Sequence, residues 1–492
     1  MRENIINRTP QFVLLFCIIS LYKIGFATTI NISAPSYSSQ IISWSKKTDF
    51  ITNSYNIIDE KTIDSNGNAL LIGEFDKIEL TEISIGRTHG ILYVDTATKN
   101  YTIFFPEDTL MDSASLKQSQ IQLIFIDIPK NDINKLLLDF NLHYDYFLYG
   151  DTSKLIRMAR HDEEFQDSLN EFKIFVSDRY SSKKIKYLHH YIRYEIALLE
   201  QMAHQSKGDL YRIYLYNTYL KQHSIKYKNN AYMKFFNLFY YETFRLGGDQ
   251  SYKQILFTIN QLNDYQKLDN ILASIPYFSK EKIRELATIK GLYDSYSSNE
   301  FIEKNIISCL EHIYLNSRWK THKNIARKCI DELLKFKIGE HCPNFDLKNQ
   351  NKERINLNYC KNKYTYINFF ATWNHRSLQE MVIIKKLNEN YDFINFVSVN
   401  LDKNIDKYKS YIEGNTDFNW DICQASNMDL IIKDFDLDHL PTYILIDPNG
   451  KIAQYPAYPP SPLYNNQSID VTFFNLKKNN SVKSPFGIGG KN

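Results

Sequence analysis

The chain has 492 residues, 43% of them hydrophobic and 23% charged, a length that calls for about two to four domains rather than one core. Lys and Arg total 59 against 56 Asp and Glu, a net charge of +3. That balance excludes a strongly basic nucleic-acid binder and a protein held on an anionic membrane by charge.

Residues 1–27 read as a signal peptide. Arg2 and Arg8 supply the positive start, and Phe12–Leu21 forms an apolar core too short to span a bilayer. Gly25-Phe26-Ala27 ends in the small residues that a signal peptidase accepts. Cleavage and retention as an anchor are the two alternatives. Cys17 follows Phe16, where a lipoprotein signal needs a small residue. No later segment reads as a transmembrane span, so the mature chain is expected to be exported and soluble. Removing residues 1–27 takes away Arg2, Arg8, Lys23 and Glu3, which leaves 56 basic residues against 55 acidic ones.

Cys309, Cys329, Cys342, Cys360 and Cys423 remain after cleavage. None of their spacings resembles a zinc site or a Cys-x-x-Cys pair, and an odd count leaves at least one thiol unpaired in a monomer. No metal or cofactor is expected.

Residues 28–128 read as a β-sandwich. Thr29–Ser33, Glu79–Ile85 and Tyr101–Phe105 alternate apolar with polar residues, and Ser65-Asn66-Gly67-Asn68 is a turn between two strand-like runs. The period changes at Pro129, and residues 129–336 read as an all-helical region. Ile133, Leu136, Leu137, Phe140 and Tyr144 recur at helical spacing, with Asn131 or Asp132 placed to cap. A second helix carries Tyr187, Leu188, Tyr191 and Ile192. A third carries Met233, Phe236 and Phe239 and is expected to end near Gly247-Gly248. These aromatic faces are expected to be core. His189 and His190 are adjacent and point about 100° apart on a helix, so they do not chelate one ion together. Cys309 and Cys329 flank a helical hairpin at Ser317-Arg318-Trp319 at similar height; buried free thiols are the expectation, and a disulfide the alternative.

Residues 337–476 alternate strands with helices, and residues 477–492 read as a mobile tail. Tyr364–Phe370 is a buried strand that runs through Ala371-Thr372-Trp373 straight into a helix marked by Leu378, Met381 and Val382. Phe393–Val399 and Thr442–Ile446 are further strands, and Asp447-Pro448-Asn449-Gly450 is a turn. The whole reads as a multidomain α+β chain that ends in an α/β sandwich.

Specific motifs carry a resemblance here. They are Ile338-Gly339-Glu340 with Pro343, Phe345 and Leu347, then Phe369-Phe370-Ala371-Thr372-Trp373, then Leu440-Pro441-Thr442 leading into Tyr443–Asp447. Residues 338–456 resemble the TlpA-like branch of the thioredoxin family, thiol–disulfide oxidoreductases of the bacterial envelope. The resemblance implies a thioredoxin-like fold, a location in the periplasm or envelope of a bacterium, and a cis-proline at Pro441 beside the active turn. It also implies cysteines at positions 374 and 377, but Asn374 and Ser377 stand there.

That chemistry needs a low-pKa thiolate at a helix start and a resolving thiol one turn later. A carboxamide cannot attack a disulfide, and a serine cannot form one. His375 and Ser377 face different sides of a helix, which argues against a Ser–His pair. The chain therefore reads as a non-catalytic binding or scaffolding protein. Its candidate edge is Trp373, Asn374, His375, Arg376, Ser377, Leu440 and Pro441, offered to an extended protein or peptide segment. The alternatives are an oxidoreductase that works through a non-standard cysteine, and a purely structural envelope protein.

Overall fold

The computed structural model describes residues 26–109, 116–150, 163–203, 208–425, 427–463 and 467–482. The expected signal peptide lies outside them except for Phe26 and Ala27, which open the first strand.

Alternation along the N-terminal strands produces two stacked sheets. β1 (Phe26–Ser33), β4 (Asn68–Phe75), β7 (Asn100–Phe104) and β9 (Ile124–Ile126) form one, in the order β4-β1-β7-β9. β2 (Ile41–Lys47), β3 (Tyr55–Thr62), β5 (Glu79–Ile85), β6 (Thr88–Val94) and β8 (Ser119–Ile121) form the other, in the order β3-β2-β5-β6-β8. Their inner faces meet through Ile30, Trp44, Leu71, Ile83, Leu92, Tyr101 and Phe105, all at most 1% exposed. The turn at residues 65–68 is present, with Gly67 at φ 82°, but β3 and β4 belong to different sheets. It is a crossover between layers rather than a hairpin within one.

The helical stretch runs α1 (Ile133–Tyr149), α2 (Glu163–Tyr180), α3 (Lys186–Ala203), α4 (Gly208–Leu215), α5 (Asn230–Phe239), α6 (Gly248–Phe257), α7 (Tyr265–Ala273), α8 (Glu281–Ser295), α9 (Glu303–Asn316) and α10 (Lys320–Leu334). Asp132 is the N-cap of α1, accepting from the Asn134 N–H at 2.8 Å. α5 stops at Phe239, short of Gly247, where Tyr240 leaves the helical conformation, and Glu242 beyond it has φ 50°. The aromatic stripes form one core, in which Tyr194, Tyr216, Tyr232, Phe235, Phe236 and Tyr240 are all at most 1% exposed. Phe50, Ile51 and Leu80 of the β region join that core. Asn134 fixes the junction, exchanging bonds of 2.7 and 2.8 Å with the Tyr93 backbone.

The C-terminal sheet has the order β11-β10-β14-β13-β12-β15-β16. Its strands are β10 (Asp346–Asn349), β11 (Arg354–Asn356), β12 (Tyr364–Phe370), β13 (Ile394–Asn400), β14 (Asp421–Gln424), β15 (Thr442–Ile446) and β16 (Ile452–Gln454). β12 lies parallel to β13 and antiparallel to β15. Period-two alternation splits β12 between two cores, with Ile367 and Phe369 on one face and Tyr366 and Phe370 on the other. α11 (His375–Asn390) and α14 (Ile469–Val482) pack on the second face, while α13 (Met428–Asp434) packs on the first; α12 (Ile405–Glu413) sends Tyr408 to the second. α14 continues through Val482, into the stretch read from sequence as tail, while residues 483–492 lie outside the described residues.

The β region and the C-terminal sheet also touch. Arg87 Nε lies 3.1 Å from Asp429 Oδ1 on α13, and the Arg87 side chain is only 4% exposed. Leu116 packs within the same apolar cluster as Phe369 and Ile431.

Candidate functional site

The end of β12 is tied down from below before the helix begins. The Thr372 N–H donates to both carboxylate oxygens of buried Asp402, at 3.1 and 3.0 Å, and Asn400 Nδ2 donates to the same carboxylate at 2.7 Å. The chain then turns, with the Asn374 N–H donating to the Ala371 carbonyl at 3.1 Å. α11 starts at His375.

Asn374 is the N-cap of α11. Its Oδ1 accepts the Ser377 N–H at 2.8 Å, satisfying one of the free donors of the first turn. Its Nδ2 donates to the Leu440 carbonyl at 3.2 Å. Leu440–Pro441 is a cis peptide, and the register Phe369↔Thr442 sets Pro441 beside the C-terminal end of β12. The structure thus places Asn374, Leu440 and Pro441 next to one another.

The other candidates divide by exposure. His375 and Arg376 are exposed, and Trp373 is half-buried with an indole N–H that has no partner among the described residues. Ser377 is fully buried, and its hydroxyl also has no partner among the described residues. His375 and Ser377 therefore point to opposite environments and form no acid–base pair. Glu380, one turn further on, accepts from the Ser461 N–H at 2.9 Å and from its hydroxyl, with Arg376 3.9 Å away.

Beneath the turn lies a buried polar chain that carries no formal charge. Trp420 Nε1 donates to Ser398 Oγ at 2.8 Å, and Ser398 Oγ donates to Asn368 Oδ1 at 2.5 Å. Asn368 Nδ2 in turn reaches Met381 Sδ at 3.5 Å. Spacing along the sequence shows none of these contacts, because they depend on the parallel register of β12 and β13.

The five cysteines described are all buried and unpaired. Cys342, Cys360 and Cys423 belong to the core on one face of the sheet, whereas Met381, Ile384 and Leu387 of α11 belong to the other. The sheet stands between those thiols and the helix. Burial raises every one of the five thiol pKa values, that of Cys309 to about 12. A thiol so raised supplies almost no thiolate at neutral pH. Cys309 and Cys329 lie on α9 and α10 without a bridge.

Residues 362–452 match the model of a family described as thioredoxin-like. No curated protein matches the chain. Among solved structures, a thiol-disulfide oxidoreductase from Bacteroides fragilis is 25% identical, covering 23% of this chain and 88% of its own, with a TM-score of 0.21. A thiol:disulfide interchange protein from a Bacteroides species is 18% identical over 32% of this chain and 98% of its own, with a TM-score of 0.26. The thioredoxin domain of a thiol-disulfide oxidoreductase from Bacteroides vulgatus is 21% identical over 24% and 85%, with a TM-score of 0.22. Among the described residues no helix is long and apolar enough to cross a membrane. The chain is a multidomain α+β protein, β-rich and then helical, that ends in a thioredoxin-like domain.

Proposed function

We propose that this is an exported envelope protein whose C-terminal thioredoxin-like domain serves binding or scaffolding rather than disulfide exchange. The observation that carries the reading is the start of α11, where a carboxamide caps the helix at Asn374 and a buried hydroxyl stands at Ser377. A dithiol cycle needs an accessible nucleophilic thiol at such a helix start and a second thiol one turn on to resolve the mixed disulfide, and neither position carries sulfur. The cysteines are buried, and three of them sit behind the sheet. The edge formed by Trp373, Asn374, His375, Arg376, Leu440 and Pro441 is the proposed contact for an extended polypeptide.

Two measurements test this. Purified protein is expected to show no turnover in an insulin-reduction assay, and turnover that depends on one of its own cysteines overturns the reading. A photo-crosslinking residue in place of His375, in intact cells, is expected to capture a discrete partner. Capture of none, with export intact, favours a structural role. The Asn374–Leu440 bond is the observation on that side, since it already occupies a carbonyl of the edge.

A further inference from the structure

A cavity of about 670 Å³ lies where the β region meets the helices, and lysines dominate its rim. Lys77 comes from the β region, Lys184 and Lys186 from the approach to α3, and Lys226 and Lys228 from the approach to α5. Two carboxylates lie nearby. Glu79 is 3.9 Å from Lys77 and 3.8 Å from Lys228. Asp95 is turned to the backbone, accepting from the Ala97 and Ile133 N–H groups at 3.0 and 3.3 Å. Lys184, Lys186 and Lys226 form no ion pair among the described residues. The cavity therefore holds an excess of positive charge within a size range that suits small ligands.

Two further features favour an anion there. α3 begins at the rim with Lys186, and Asn229, the N-cap of α5, also lines it, so the positive ends of two helix dipoles lie beside the cavity. His190 also lines the cavity, where burial, then Lys226 and Arg193, push its imidazole down to about 4. At neutral pH the site thus resists any further positive charge. Ile78, Ile185 and the rings of Tyr187 and Tyr227 supply apolar wall. Tyr227 is held in place by a 2.6 Å bond to buried His322, itself 2.6 Å from Glu285.

We propose that this cavity binds a small phosphate-bearing organic anion, the lysines and helix starts holding the phosphate and the apolar wall taking the organic body. The site lies between the β region and the helices and is independent of the reading of the C-terminal domain. The test is calorimetric titration of the purified protein with inorganic pyrophosphate and with a sugar monophosphate, against sulfate at matched ionic strength. Saturable one-to-one binding of either phosphate, at least about tenfold tighter than that of sulfate, is expected. The combined variant Lys184→Gln, Lys186→Gln, Lys226→Gln should weaken it by about tenfold or more. A control that replaces the exposed Lys386, Lys407 and Lys409 by Gln should leave it unchanged. The variant residues lie on or near the surface, so circular dichroism should match the parent. No saturable heat with either phosphate, or binding equal in the variant and parent, overturns the proposal.

Discussion

The side-chain amide of Asn374 joins the start of α11 to the Leu440 carbonyl, 3.2 Å away on the far side of the turn. One residue thereby caps the helix and clamps it to the loop that leads into β15. Asn374→Ala removes both bonds and should lower stability by about 1–2 kcal/mol in urea titration. Asn374→Ser keeps a capping oxygen and should recover the larger part of the loss.

Placing sulfur where the carboxamide and hydroxyl now stand tests what the scaffold retains. The double variant Asn374→Cys, Ser377→Cys puts two thiols at the N-cap and one turn beyond it. An intramolecular disulfide should form, visible as two thiols that become free on reduction, with insulin reduction above the level of the parent. Failure of the pair to close would mean the turn has drifted from dithiol geometry.

Ser377→Ala removes a buried hydroxyl that has no partner among the described residues. An orphaned polar group costs stability, so the substitution should be neutral or stabilising by up to about 1 kcal/mol. A loss above that range would show that the hydroxyl is satisfied.

Alkaline pH should unfold the protein through its buried acids. The folded pKa of Cys309 rises from 9.0 to about 12 and that of Tyr194 from 10.0 to about 12, burial being the main cause in both. Raised folded values mean that the unfolded chain loses its protons first. The stabilisation is complete below the unfolded values and disappears as pH climbs through the folded ones. The urea midpoint should therefore fall steadily from about pH 9 to pH 12. Thiol titration with an aromatic disulfide at pH 8 should find Cys309, Cys329, Cys342, Cys360 and Cys423 unreactive until denaturant is added.

The Arg87–Asp429 pair offers a double-mutant cycle across the contact between the β region and the C-terminal domain. Asp429→Asn leaves a buried guanidinium without its counter-charge and should cost about 2–4 kcal/mol. The double variant Arg87→Met, Asp429→Asn should cost less than the sum of the single changes, measured by urea denaturation at neutral pH.

Legibility in the sequence followed the range of the interactions. Tyr364–Phe370 and Thr442–Ile446 were readable to the residue, because an unbroken apolar run bounded by turn residues is a local signal. The three-part architecture was legible for the same reason, since periods of two and of 3.6 residues are written in neighbouring positions. The edge was legible only in part. Motifs placed Asn374 and Pro441 together, but nothing local shows that Ser377 is buried or that Leu440 already accepts a bond from Asn374. The lysines of the cavity come from three separate stretches, and the Arg87–Asp429 pair spans 342 positions. Such neighbours exist only after the sheets and helices have packed.

Leu116 sits among the apolar side chains of the last domain, although it is synthesised long before them. Leu116 supplies part of the wall against which β12 and α13 settle. The final domain therefore rests in part on a surface made by another region of its own chain. A fragment begun at residue 337 would lack that mould, and it should refold more slowly and less completely than the same residues within the full protein.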